Sequence, residues 1–191
     1  MRWDAARPIR RTATRELRVD VELTSPLCVV RSYRVGDAAS LAKHGNNRRI
    51  WENLRDRFPH PFTEAHGTAY ITSVLAQSDA TSFAIEVGGE AVGGISLHVG
   101  TDIERIGAEM GYWLGQEFWG RGIATSAIRL LTDYALTELG LVRVFAVPFV
   151  TNVGSIRALE KAGYEREAIM RRSAIKDGTV RDQFLYAIVR D

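Results

Sequence analysis

The run from Gly107 to Phe149 constrains the fold more than any other part of the chain. Gly107–Leu114 reads as a strand, Glu117-Phe118-Trp119-Gly120-Arg121-Gly122 as a loop, and Ile123–Leu139 as a long amphipathic helix. The helix carries Ile123, Ala127, Leu130, Leu131, Tyr134, Ala135 and Leu139 at a 3.6-residue period, and Gly140 ends it. Val142–Phe149 is nearly all apolar, which predicts a strand buried on both faces. Such a strand belongs in a sheet covered by helices.

The flanking segments extend that plan. Leu17–Glu22 alternates apolar and charged residues and predicts a half-exposed strand; Leu27–Tyr33 predicts a second. Gly36-Asp37 opens a helix with Asp37 as its N-cap, Asn46-Asn47 breaks it, and Arg48–Leu54 forms a short helix. Phe58-Pro59-His60-Pro61-Phe62 cannot be regular, because each proline removes a donor and holds its predecessor extended. Thr63 then caps a helix reaching about Gln77. Ser82–Val87 and Ala91–Val99 form a hairpin around Gly88-Gly89. Asn152–Ala162 is a helix capped by Gly163, and strands at Ala168–Ile175 and Val180–Val189 close the chain. The order predicts a mixed α/β sheet with helices on it and no internal repeat.

Composition narrows the function classes. At 191 residues, 46% hydrophobic and 25% charged, the chain is one globular domain with core enough to stand without staples. Residues 1–16 are expected to be a flexible basic arm, with the folded domain over 17–191. A helical arm packed on a partner subunit is the other reading of that segment. Lys and Arg number 25 against 23 Asp and Glu, too even for a dedicated nucleic-acid or membrane-surface binder. Only the arginines of the arm argue for nucleic acid. No stretch approaches the roughly 20 apolar residues that span a bilayer. The single cysteine, Cys28, allows no intramolecular disulfide and fits a reducing, cytoplasmic setting, where it serves best as a buried small hydrophobe. His44, His60, His66 and His98 have no helical pair or carboxylate companion, so no metal is expected.

Two segments could carry chemistry. In Trp119-Gly120-Arg121-Gly122-Ile123-Ala124-Thr125, two glycines let the backbone approach a bulky anion, and the helix after them offers unpaired N–H groups. Arg121 adds a charge. The same segment also reads as an ordinary glycine turn before a helix. It does not fit a dinucleotide fingerprint, since Thr125 stands where a third glycine belongs, and it lacks the Gly-Lys-Ser/Thr of a phosphate-binding P-loop. In the second segment Asn152 is a good N-cap, with Ser155 on the first turn. Either the helix is simply capped, or both side chains meet a ligand at the end of the preceding strand.

Taken together and in order, these segments resemble the acyl-CoA-binding core of the GNAT superfamily of N-acetyltransferases. Trp119-Gly120-Arg121-Gly122-Ile123-Ala124 is similar to its pyrophosphate loop, with Trp119 where many members carry Gln or Arg. Asn152-x-x-Ser155 followed by Leu159-Glu160-Lys161-Ala162-Gly163-Tyr164 resembles the RimJ/RimL-type branch. So do Glu109-Met110-Gly111-Tyr112-Trp113-Leu114, Arg55-Asp56-Arg57-Phe58-Pro59-His60-Pro61, and Asp177-Gly178 with Arg181-Asp182. The likeness runs from about Leu23 to Val189.

The resemblance implies a twisted, mostly antiparallel sheet with helices on both faces. Gly107–Leu114 and Val142–Phe149 would splay into a V, with Gly111 as the bulge that starts it. Acetyl-CoA would be the cosubstrate. Its pantetheine arm would run along Tyr112, Trp113 and Leu114, and its diphosphate would lie over Gly120, Arg121, Gly122, Ile123, Ala124 and Thr125. Asn152 would add a hydrogen bond, and Arg157 and Lys161 are candidates for an outer phosphate. A backbone N–H near Tyr112 would polarise the thioester oxygen. Glu109 is the candidate general base, directly or through a water; its other reading is a carboxylate paired with an arginine. Ser155 is the candidate acid, helped by the helix N-terminus, or else it only hydrogen-bonds the cofactor or caps the helix. Tyr112 and Tyr164 are weaker candidates for that acid. Asn47, Trp51 and His60 would shape the acceptor pocket for a protein N-terminus or a small-molecule amine; family members are often dimers, which leaves a homodimer open without fixing it. The alternative is a non-catalytic acyl-CoA-binding regulatory module on the same fold.

Overall fold

A computed structural model describes residues 21–77 and 81–190. The expected arm at 1–16, and most of the strand expected at Leu17–Glu22, lie outside the described residues. The strands are β1 (Glu22–Thr24), β2 (Val29–Ser32), β3 (Ser82–Val87), β4 (Glu90–Val99), β5 (Gly107–Leu114), β6 (Arg143–Ala146), β7 (Glu165–Lys176) and β8 (Thr179–Val189). The helices are α1 (Ala38–Gly45), α2 (Arg48–Trp51), α3 (Glu64–Leu75), α4 (Ile123–Thr137) and α5 (Val153–Ala162). The strands form one sheet in the order β1-β2-β3-β4-β5-β6-β8-β7. Every pairing is antiparallel except β5 with β6, the pair joined through α4.

The parallel pair fixes the geometry of the site. Gly107, Ala108 and Glu109 pair with Arg143, Val144 and Phe145, and there the pairing stops. β5 runs on to Leu114, held on its other side by an unbroken register with β4 from Val99–Ala108 to Gly93–Leu114. From Met110 onward, β5 therefore has no strand on its β6 side. β6 ends at Ala146 rather than at Phe149, because Pro148 has no N–H to give a ladder. The chain from Pro148 to Val150 is drawn toward β8 instead. The Pro148 carbonyl accepts from Phe184 N at 2.9 Å, Phe149 bridges Gln183, and Val150 N donates to the Asp182 carbonyl at 3.1 Å. The two strands thus part as a V. The bulge expected at Gly111 is not there, since Gly111 pairs with Ser96 in regular register. The splay comes from the pull of β8 on the chain after β6.

The sheet is packed on both faces. One carries α4 and α5 over Val30, Phe83, Ile85, Leu97, Ala108, Met110 and Val144, with Ile128, Leu131 and Leu159 fully buried against them. Cys28 is buried in this layer. The other face carries α1 and α3 over Tyr33, Ala84 and Ala91, with Leu41, Phe62 and Ile71.

Asp37 corrects the expected cap of α1. Its backbone is helical and its side chain gives α1 no capping bond. The carboxylate instead takes Arg31 Nη1 and Nη2 at 2.8 and 2.9 Å and the Arg34 N–H at 2.8 Å. Arg31 is 3% exposed and also pairs with Glu86. A guanidinium that deep needs a carboxylate more than the helix needs a cap. Thr63 does cap α3 as expected, accepting from His66 N. Among the described residues, no helix is long and apolar enough to cross a membrane.

Candidate functional site

The glycine loop sits where β5 ends and α4 begins. Gly120 and Gly122 have φ of +75° and +79°, a region that favours glycine. Gly122 occupies the N-cap of α4 with no side-chain acceptor, so the first-turn N–H groups of Ile123, Ala124 and Thr125 are left to point outward. Trp119 fastens the loop to β5, donating its indole N–H to the Leu114 carbonyl at 2.7 Å. The Arg121 guanidinium lies 5.6 Å from the Phe118 ring centroid. Beside the loop is a cavity of about 320 Å³ lined by Leu27, Gly122, Thr125, Ser126, Arg129 and Lys161. Of the two outer-phosphate candidates, Lys161 lines it and Arg157 does not. Arg129, which sequence reasoning missed, also lines the cavity and donates to the Lys161 carbonyl.

β5 sorts the remaining residues onto opposite faces, because side chains alternate along a strand. Ala108, Met110, Tyr112 and Leu114 face α4 and α5, whereas Trp113 packs in the α1–α3 layer with its ring edge-on to Phe58. Glu109 shares the Trp113 face. On the α5 side, Asn152 caps the helix through Oδ1, which accepts from Ser155 N at 3.2 Å. Ser155 Oγ lies 2.6 Å from the Tyr112 hydroxyl. Burial raises the Tyr112 pKa, with the Ser155 hydrogen bond opposing. Tyr164 is buried, its hydroxyl 2.7 Å from Thr132 Oγ1 and 3.8 Å from Met110 Sδ.

Across the sheet, the Glu109 carboxylate is 23% exposed and paired with Arg55 through Oε1. His98, directly opposite Glu109 on β4, has Nε2 2.7 Å from Arg57 Nη2. Burial, then the Arg57 charge, push the His98 pKa below the usual histidine range. Its ring therefore accepts from the guanidinium as a neutral imidazole. From sequence, Arg55 and Arg57 stand out only within the Arg55–Pro61 motif, and neither they nor His98 carry an assigned role. The antiparallel register that sets His98 against Glu109 was available in the expected strands, but the arginine contacts come from a loop 40 to 55 residues away.

The expected acceptor residues split into two places. Trp51 and His60 lie together, ring centroids 5.7 Å apart. Asn47 instead caps α2 and donates from Nδ2 to Gln116 Oε1 at 2.8 Å, tying α2 to the loop before Trp119. The tip of the β7–β8 hairpin closes over this region. Lys176 is 1% exposed, with Nζ 3.9 Å from the Trp51 ring centroid and 2.8 Å from Asp56 Oδ1. Arg48 holds Asp177 at 2.9 Å. Among the described residues, no group of three or more His, Cys, Asp or Glu is placed to hold a metal ion.

Comparison with known proteins agrees with this geometry. The family model described as an acetyltransferase (GNAT) domain matches residues 28–165. The uncharacterized N-acetyltransferase YoaA of Bacillus subtilis is 36% identical over 101 residues, 53% of this chain and 56% of that protein. The chain spans about half the length of the curated relatives it matches. Mycobacterium smegmatis RimJ, solved with CoA-disulfide, superposes with a TM-score of 0.76 at 25% identity, covering 89% of this chain and 86% of that one. RimL, a ribosomal L7/L12 α-N-protein acetyltransferase solved with coenzyme A, shares the fold with a TM-score of 0.78 at 18% identity, covering 90% and 99%. The chain belongs to the GNAT acetyltransferase family, in its RimJ/RimL-like branch.

Proposed function

We propose that this protein is an acetyl-CoA-dependent N-acetyltransferase that acetylates a primary amine by direct attack in a ternary complex. One observation carries the reading: β5 and β6 part after Glu109, next to an α4 N-terminus that no side chain caps. The residues present suit coenzyme A. Unpaired N–H groups at Ile123, Ala124 and Thr125 suit a diphosphate, and the positive φ of Gly122 lets it approach. Arg129 and Lys161 give the adjoining cavity the charge for a further phosphate. Beyond Met110, alternate backbone groups of β5 lack a sheet partner and suit the amides of an extended arm along Tyr112, Trp113 and Leu114. Acetyl-CoA supplies the activated acetyl group as a thioester.

The chain's own residues divide the proton work between the two faces of the gap. Glu109 takes the proton that the attacking amine must lose, directly or through one water. Among the described residues, Arg55 is the one hydrogen-bond and ion-pair partner of its carboxylate, through Oε1. A backbone N–H near Tyr112 stabilises the negative charge that develops on the carbonyl oxygen. Ser155, on the other face, returns a proton to the departing sulfur. Asn152 holds the turn that carries Ser155. Base and acid thus stand on opposite sides of the sheet, so the amine enters from the α1–α3 side and the sulfur leaves toward α5. Trp51 and His60, walled by Lys176, form the acceptor side, and the acceptor is a protein N-terminus or a small-molecule amine.

Free-thiol release from acetyl-CoA across a panel of amines, amino acids, polyamines and N-terminal peptides tests this. Turnover with at least one acceptor is expected. Coenzyme A binding with no release on any acceptor would make the chain an acyl-CoA-binding module instead.

A further inference from the structure

The contact between Tyr112 and Ser155 joins the two sides of the V. Tyr112 belongs to β5 and Ser155 to the helix after β6, 43 residues later. The phenol oxygen lies 2.6 Å from Ser155 Oγ and 3.3 Å from the Ser155 carbonyl. A carbonyl inside a helix is already engaged by the N–H four residues on, so Oγ is the better acceptor for the phenol. A phenol that donates to Oγ leaves the serine proton to turn outward. The Ser155 N–H goes to Asn152 Oδ1, which fixes the turn on which Oγ sits.

A serine hydroxyl with no such support is a poor acid, since losing its proton strands an alkoxide. We propose that Tyr112 is the positioning residue that makes Ser155 a usable proton donor: its phenol holds Oγ and replaces the proton that Ser155 gives to the departing sulfur. This rests on the acetyl-transfer reading above. The carbon–sulfur bond breaks with its electron pair on sulfur. Ser155 Oγ–H protonates that sulfur, the Tyr112 phenol reprotonates Oγ, and the phenolate regains a proton from water. Glu109 has meanwhile passed the proton of the amine to solvent. One proton leaves nitrogen, one arrives on sulfur, and both hydroxyls end as they began. The raised Tyr112 pKa suits the role, because it keeps the phenol loaded and makes the phenolate short-lived.

The test uses Tyr112→Phe, Ser155→Ala and the double variant, each checked for an unchanged fold by circular dichroism. The first readout is CoA release with the best acceptor among spermidine, free amino acids and Ala- or Ser-starting peptides. Tyr112→Phe is expected to lower kcat by roughly 10²-fold, the scale of a lost general acid, while KM for acetyl-CoA moves by less than about threefold. The double variant is no slower than Ser155→Ala. The second readout needs no turnover: the CoA thiol is titrated on the protein through the ultraviolet absorbance of its thiolate. A hydroxyl donor aimed at sulfur favours the thiolate, so both single variants shift that titration upward alike. A Tyr112→Phe kcat within about threefold of wild type, losses that multiply in the double variant, or a thiol titration that does not move would overturn the role. No release by wild type with any acceptor would sink the acetyl-transfer reading itself, whereas normal release by both wild type and Tyr112→Phe would sink only the role of Tyr112.

Discussion

Replacing Gly122 by alanine separates what the loop needs from what a ligand needs. At φ +79°, an added Cβ crowds its own carbonyl, which costs about 1–2 kcal/mol. For a chain of this size, that lowers Tm by about 2–8 °C. The same Cβ would sit 3.4 Å from Leu27 Cδ1, inside the wall of the cavity beside α4. Gly120→Ala isolates the backbone contribution, since φ is +75° there and a Cβ meets nothing within 4 Å. Melting with and without coenzyme A reads both effects. At 100 times its Kd, the ligand stabilises the wild type by about 2.7 kcal/mol, or about 5–11 °C. A tenfold weaker Gly122→Ala keeps about 1.4 kcal/mol at the same concentration, roughly half the shift. A free-protein Tm equal to wild type would refute the conformational argument. A full coenzyme shift would refute the claim that this turn cradles the diphosphate.

Three further outcomes are expected. Arg31→Met takes the guanidinium from the buried Asp37 carboxylate, while Glu86 keeps Arg34 at 3.5 Å, and should cost about 3–5 kcal/mol in chemical denaturation; adding Asp37→Asn recovers part of it, and a neutral single variant would show the cluster to be dispensable. His98, held below the usual range by burial and then Arg57, takes up its proton later on acidification when folded than when unfolded. Its stabilising contribution is therefore full above about pH 6.5 and is lost as the pH falls from there toward the folded value, so His98→Gln should flatten that stretch of the stability curve. Glu109→Gln should lower kcat by roughly 10²–10⁴-fold, most severely where the amine is protonated; an unchanged pH–rate profile removes Glu109 as the base.

The sequence was most legible where local pattern and tertiary demand agree. Ser82–Val87 and Gly107–Leu114 form strands over the residues that their patterns predict, and Asn152 and Thr63 cap their helices as expected. It misled where a long-range partner outbid a local one. Asp37 serves a buried arginine instead of α1, and the apolar run after Ala146 leaves the parallel pair because Pro148 cannot donate and β8 offers partners. Gly111 shows the same limit: the V opens without a bulge there, since its cause lies in β8. The glycine loop before α4 and the places of Glu109 on β5 and Ser155 on the first turn of α5 were legible because their signals are local or strand-bound. The partners of Arg55 and Arg57, and the places of Arg129 and Lys176, were not legible, because basic residues are common and only the fold selects these. Lys176 is the extreme case, a lysine carried to a buried place by a hairpin tip that docks on Trp51 and Asp56.

The most direct trial of coenzyme A binding in the V is a crystal structure of the protein soaked with that molecule. The diphosphate is expected on the N–H groups of Ile123 to Thr125, the pantetheine along Tyr112 to Leu114, and the sulfur within hydrogen-bonding reach of Ser155 Oγ. Coenzyme A bound elsewhere, or β5 and β6 closed against each other in its presence, would contradict it.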